Sequence, residues 1–192
     1  MQLCFATNND HKLSELRQLV GQNFKILSLK EIGHVGNIPE DHDTMEENSL
    51  QKAQFIYDNY GIDCLADDSG LEVEALNWEP GVYSARYAGS QKSDEDNIDK
   101  LLSELRGIEL RNARFRCVVT LIINGEKQQF DGVVHGSITE ERSGSGGFGY
   151  DPVFIPEGFD RTFAQMTGDE KNSLSHRGNA VAGLMAFLNS QV

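Results

Sequence analysis

Apolar positions in this chain change their spacing several times, and each change marks a predicted element. Leu3-Cys4-Phe5-Ala6 is a short apolar run and reads as a strand. The polar stretch Thr7-Asn8-Asn9-Asp10-His11-Lys12 follows, after which Leu13, Leu16, Leu19 and Val20 recur at helical spacing. Phe24-Lys25-Ile26-Leu27-Ser28-Leu29 predicts a second strand, and the acidic run Ile38-Pro39-Glu40-Asp41-His42-Asp43, which has no period, predicts a loop. Thr44-Met45-Glu46-Glu47 has the form of a capping box and opens a helix to about Tyr60. Leu50, Ala53, Ile56, Tyr57 and Tyr60 make its apolar face, with Lys52 off that stripe, where most lysines are simply solvated.

Cys64-Leu65-Ala66-Asp67-Asp68-Ser69-Gly70-Leu71 runs from apolar residues straight into two carboxylates and a Ser-Gly break. The pattern predicts a buried strand whose end projects acids into a cleft, with Asp67 and Asp68 on opposite sides. Trp78 to Tyr87 reads as an irregular, aromatic-rich turn, and Ser93-Asp94-Glu95-Asp96 starts a helix that turns Ile98, Leu101, Leu102 and Leu105 inward. Ala113, Phe115, Cys117, Val119, Leu121 and Ile123 alternate with their neighbours up to Asn124-Gly125, a type I′ hairpin signal, and the return runs from Gln128 to Ile138. Val133-Val134, apolar on both faces, predicts a central sheet position. Thr167-Gly168-Asp169-Glu170 caps a C-terminal helical region that buries Ala180, Leu184, Phe187 and Leu188.

At 192 residues the chain fits one domain, with room for two lobes and a proper core. A net charge of −13 excludes a general nucleic-acid binder, which would carry a basic stripe. A small anionic ligand stays open, because a few cations in one cleft override the global sign locally. Cys4, Cys64 and Cys117 are scattered among apolar residues without Cys-x-x-Cys spacing, which argues against a disulfide framework or a zinc site. No apolar run reaches membrane-spanning length and the first residues lack the form of a leader, so the expected location is cytoplasmic, without membrane partners.

Two acids hard against an apolar strand need solvent, a donor or a metal. Thr7 to Lys12, between strand and helix, either aims free backbone N–H groups at an anion or is an N-cap with an incidental lysine; the stretch alone supports both. Gly144-Ser145-Gly146-Gly147-Phe148-Gly149 matches G-x-G-x-x-G, but Tyr150-Asp151-Pro152 and the strand-like Val153-Phe154-Ile155 stand where a dinucleotide fold needs a helix. That loop reads instead as a close approach to a flat ring covered by an aromatic, or as a merely flexible segment. Lys171 and Ser175-His176-Arg177, four residues apart, read as a donor-rich pocket wall or as a solvated helix face.

Thr7-Asn8-Asn9-x-x-Lys12, Glu47-Asn48-x-x-x-Lys52-Ala53, Ala66-Asp67-Asp68-Ser69-Gly70-Leu71, Pro80-Gly81-x-x-Ser84-Ala85-Arg86, Gly146-Gly147-Phe148-Gly149-Tyr150-Asp151-Pro152 and Glu170-Lys171-x-x-x-Ser175-His176-Arg177 occur in that order. Together they closely resemble the Ham-type inosine/xanthosine triphosphate pyrophosphatases, across nearly the whole chain. The resemblance implies an α/β fold with an elongated mixed sheet flanked by helices, and two lobes with a nucleotide cleft between them. It implies a homodimer that uses Mg²⁺ to hydrolyse ITP, dITP and XTP to the monophosphate and diphosphate, removing noncanonical purine nucleotides from the pool. By the same resemblance Thr7, Asn8, Asn9, Asp10, His11 and Lys12 form the triphosphate loop, with Lys52 also on phosphate and Ser69 beside the substrate. Asp68 is the implied general base and a metal-side carboxylate; Glu40 is the implied metal ligand, with Asp41 and Asp43 as close substitutes. Phe148, Gly149, Tyr150, Asp151, Lys171, His176 and Arg177 are the implied base pocket. Where many members carry Gly or Ser this chain has Asn8, the residue besides glycine best suited to positive φ.

Overall fold

The computed structural model describes residues 1–190. Six strands form a mixed sheet in the order β2-β1-β3-β4-β5-β6: β1 (Gln2–Phe5), β2 (Lys25–Leu27), β3 (Cys64–Val73), β4 (Asn112–Ile123), β5 (Glu126–Ile138) and β6 (Phe154–Pro156). β1 pairs in parallel with β2 and with β3, and β5 pairs antiparallel with β6. The helices are α1 (Asp10–Val20), α2 (Met45–Tyr60), α3 (Asp94–Glu104), α4 (Gly168–Leu174) and α5 (His176–Ser190). Among the described residues no helix is long and apolar enough to cross a membrane.

Local chemistry explains most of these boundaries. Asn9, Thr44, Ser93 and Thr167 cap α1, α2, α3 and α4 with side-chain oxygens, satisfying N–H groups that a helix start leaves unpaired. Asn124 and Gly125 take φ of 51° and 82°, the left-handed pair that a two-residue hairpin demands. The chain divides into two compact units. Unit 1 comprises Met1–Asp68, Cys117–Gly132 and the chain from Arg177 onward, and unit 2 comprises Ser69–Arg116 and Val133–His176. Leu3, Phe5, Leu16, Leu65, Leu121 and Leu184 centre one core cluster of unit 1; Leu71, Ile98, Phe115, Phe154 and Phe163 centre that of unit 2.

Five expectations change. The second strand is Lys25–Leu27 alone, because Lys30–Ile32 turns into a 3₁₀ helix. β3 does not break at Ser69-Gly70 but runs through both: a Cβ at Gly70 would collide with the Gly81 carbonyl and the Ser84 hydroxyl, so the glycine serves close packing inside the strand. The aromatic-rich turn contains a 3₁₀ helix, Gly81–Arg86. Val133 and Val134 are only half-buried, on a strand with the three-residue β6 on one side. The C-terminal helical region is two helices, since Ser175 leaves helical geometry at φ −69°, ψ 157° and its N–H closes α4 on the Lys171 carbonyl at 2.8 Å.

Candidate active site

Unit 1 gathers a set of paired charges. The segment before α1 is a cap: Asn9 Oδ1 accepts from the N–H groups of His11 (2.9 Å) and Lys12 (3.1 Å), and Thr7 Oγ1 accepts from that of Asn9 (3.1 Å). The N–H groups of Asn9, His11 and Lys12 are thus satisfied within the chain, as the capping alternative expects. Lys12 is nevertheless not incidental. Its ammonium donates to Asp67 Oδ1 at 3.2 Å, a carboxylate at the helix start where the dipole disfavours a lone cation. Asn8 donates to the Gly36 carbonyl at 3.0 Å, and it is not among the residues with positive φ. Asp10 and His11 lie exposed on the first turn.

The spacing put Lys52 in solvent; the structure buries it. Met45, Asn48, Ser49, Lys52, Ala53 and Ile56 are the buried face of α2, so the stripe is displaced from the one expected and Leu50 is only half-buried. A lysine is tolerated there because Glu40 accepts its ammonium. Burial would lower the Lys52 pKa, but Asp68, Glu40 and Asp67 together raise it. Of the loop acids, Glu40 reaches this lysine, whereas Asp41 pairs with Gln51 (2.9 Å).

Asp67 and Asp68 meet different partners, as strand alternation predicts. Asp67 is 1% exposed and is bound by Lys12 and by Arg177, whose Nη2 lies 3.1 Å from Oδ2. Burial pushes its carboxyl up, but Lys12, Arg177 and Lys52 outweigh burial and hold it well below the usual carboxylate range. Asp68 goes the other way: burial raises it, Lys52 and Lys12 lower it, and the like charges of Glu40 and Asp67 add to the rise. Its Oδ2 accepts from Asn48 Nδ2 at 3.2 Å, and Asn48 in turn holds the His42 backbone at both its N–H (2.9 Å) and its carbonyl (3.0 Å). No role had been expected for Asn48. Its signal was its place one turn before Lys52 on the same face of α2.

Unit 2 carries a different arrangement. Lys171, on α4, is 5% exposed and its ammonium lies 2.7 Å from Asp151 Oδ2, 4.5 Å from the centre of the Phe148 ring and 5.9 Å from that of Phe163. Asp151 also accepts the Phe148 N–H at 2.9 Å, and a Cβ at Gly147 (φ +74°) would run into its carboxylate. Gly149 N–H donates to Asp94 at 2.7 Å and Tyr150 Oη to the Ser84 carbonyl at 2.8 Å. With the Gly146 N–H also on the Ala164 carbonyl at 3.0 Å, the loop is held in place rather than merely flexible. His176 is buried and stacks on Phe115, centroids 4.9 Å apart with 15° between planes. Ser69 is half-buried in β3.

Lys171, His176 and Arg177 are all buried, which overturns the solvated-face alternative. Lys171 and His176 fall in unit 2, and Arg177, in unit 1, is spanned by Asp67 and Glu15. Glu15 was not anticipated either, although it sits three residues after Lys12, on the same helix face.

A mixed α/β fold that sets buried lysines against strand-borne carboxylates has the chemistry of a protein that handles anions with acid–base groups at hand. The sequence pattern of the Ham1 family matches residues 3–187. The chain is 50% identical to the dITP/XTP pyrophosphatase of Flavobacterium psychrophilum, over 97% of this chain and 98% of that protein. It is 46% identical to the dITP/XTP pyrophosphatase of Bacillus subtilis, over 95% and 94%. Among solved structures, the Staphylococcus aureus Ham1 protein superposes with a TM-score of 0.91 at 39% identity, covering 100% of both chains. The chain belongs to the Ham1 family.

Proposed function

We propose that this chain is a pyrophosphatase of noncanonical purine nucleoside triphosphates, converting dITP, ITP and XTP to the nucleoside monophosphate and diphosphate. The observation that carries the reading is Lys52, a cation buried in α2 between Glu40 and the paired acids of β3, in a family whose relatives are named for this reaction. In this reading water attacks the α-phosphorus, the bond from that phosphorus to the bridging oxygen of the β-phosphate breaks, and diphosphate leaves. Asp68 takes the proton of the water. A carboxyl raised by burial and by neighbouring acids is the right kind of base, since efficiency peaks when its pKa approaches the working pH. Asn48 aims it. Lys12 and Lys52 hold phosphate oxygens, and Thr7 to Lys12 form the turn that presents them. In unit 2, Lys171 donates to the purine C6 carbonyl, with Phe148, Gly149, Tyr150, Asp151 and His176 shaping the base site.

The donor set suits Mg²⁺. Among the described residues no group of three His, Cys, Asp or Glu side chains forms a closed metal cage. Two carboxylates completed by water and substrate phosphates are nonetheless what Mg²⁺ takes, and Glu40 and Asp68 already sense each other's charge. Bound there, the ion would neutralise phosphate charge in the transition state. We place the enzyme in the cytoplasm as a homodimer, acting on free nucleotides rather than polymers.

Diphosphate release across a panel of ITP, dITP, XTP, GTP and ATP, with and without Mg²⁺, tests the reading. Release from the first three and little from ATP supports it. Equal release from ATP, or none from any nucleotide with Mg²⁺ present, overturns it.

A further inference from the structure

Asp67 is the most enclosed acid of unit 1, and nothing in the proposed reaction uses it. It sits in β3 where three elements meet. Oδ1 accepts from Lys12 of α1 at 3.2 Å, while Oδ2 lies 3.1 Å from the same ammonium and accepts Arg177 Nε at 3.3 Å and Nη2 at 3.1 Å. Cys117 of β4 completes the enclosure, Sγ 3.7 Å from Oδ2. The other arm of Arg177 pairs with Glu15, which returns the chain of contacts to α1. Asp67 and Glu15 against Lys12 and Arg177 make a charge-neutral set.

Exposure separates their tasks. In the Lys12–Asp67 pair the acid's side chain is 1% exposed and the lysine's is 15%, so the carboxylate is sealed behind a lysine whose side chain still reaches the surface. A buried ion pair is by itself weak evidence of stabilisation, because desolvation offsets the attraction. What it does give is geometry: a lysine head otherwise free to rotate is held at the start of α1, with Arg177 and Glu15 bracing the same helix. We infer that Asp67 is a positioning residue, pinning Lys12 for the triphosphate without touching substrate itself. This rests on the phosphate role proposed for Lys12.

The test is a double-mutant cycle of Asp67→Asn and Lys12→Ala, read by calorimetric binding of inorganic tripolyphosphate, which needs no turnover. Kinetics with ITP run alongside. Asp67→Asn is expected to weaken tripolyphosphate by about tenfold, the effect of loosening one charge-assisted contact, and to add almost nothing once Lys12 is Ala. KM for ITP rises with the loss while kcat stays within about threefold, a split that marks lost binding rather than lost chemistry. Equal losses in both Lys12 backgrounds would overturn the inference alone. So would a collapse of kcat with binding intact, which would make Asp67 an acid–base group. No effect of Lys12→Ala itself would overturn the phosphate reading and this inference with it. Should Asp67→Asn fail to fold, Glu15→Gln enters the same cycle: a smaller loss of the same kind, absent when Lys12 is Ala, supports the bracing, and an additive loss overturns it.

Discussion

In unit 1, Lys12, Lys52 and Arg177 face Asp67, Asp68, Glu40 and Glu15, and the two adjacent acids of β3 titrate in opposite directions. In unit 2 the buried Lys171 ammonium pairs with Asp151 beside the rings of Phe148 and Phe163. The first arrangement is suited to a ligand whose charge is spread over many oxygens, and to moving a proton. The second is suited to reading one polar edge of a flat ring. Divided like this, charge chemistry and recognition should come apart under mutation.

The largest effect is expected at Asp68. Asp68→Asn removes the proposed base with little change of shape, so diphosphate release should fall by about 10²- to 10⁴-fold. Calorimetric nucleotide binding should stay within about tenfold, since the charge matters mainly in the transition state. Near-normal turnover would end the assignment.

Next come the unit 1 lysines. Lys12→Ala and Lys52→Met should each weaken triphosphate binding by roughly 10- to 100-fold, the worth of a well-made charge-assisted contact, and inosine monophosphate binding much less. Equal losses for both ligands would dissolve the contrast between the units. Lys171→Met is the converse probe. It should cost ITP about tenfold in kcat/KM, narrowing the preference over ATP, while leaving tripolyphosphate affinity unchanged. A tripolyphosphate loss in that variant would mean that unit 2 also handles phosphate.

Gly70→Ala probes the scaffold alone. The methyl would press on the Gly81 carbonyl and the Ser84 hydroxyl, and overpacking of this kind costs about 1–3 kcal/mol, readable as a shifted urea midpoint. An unchanged midpoint would mean that this packing yields easily.

The smallest effect is on alkaline stability. Burial pushes the thiols of Cys4, Cys64 and Cys117, all in unit 1, from the ordinary 9.0 up to about 11, 12 and 12. In unit 2, burial also raises the Tyr87 and Tyr150 hydroxyls above the ordinary 10.0. In every case the folded pKa lies above the unfolded one. The stabilisation is therefore complete below about pH 9 and drains away as pH climbs through the folded values of about 11 to 12. Tm should hold level to about pH 9 and then decline, and native thiols should resist a disulfide reagent at pH 8 until urea exposes them. Rapid labelling of the folded protein would contradict their burial.

Much of this was legible in the chain itself. The hairpin at Asn124-Gly125, the caps at Thr44, Ser93 and Thr167, and the acids of β3 depend on local backbone preferences and on alternation, and both are written in adjacent residues. Ordered motifs pointed to the family before any coordinates. What only the tertiary structure decided is who pairs with whom. Lys52 looked like a solvated lysine because helical spacing counts apolar neighbours and cannot see Glu40 arriving from a loop. Arg177 carries no mark in the sequence of the two acids that span it, Asp67 from β3 and Glu15 from α1. Asp67 and Asp68, identical and adjacent in the sequence, shift in opposite directions because burial raises both, but at Asp67 it is outweighed by cations brought from positions 12 and 177 and at Asp68 it prevails. Electrostatic character depends on distances through space, and those distances exist only once the chain has folded.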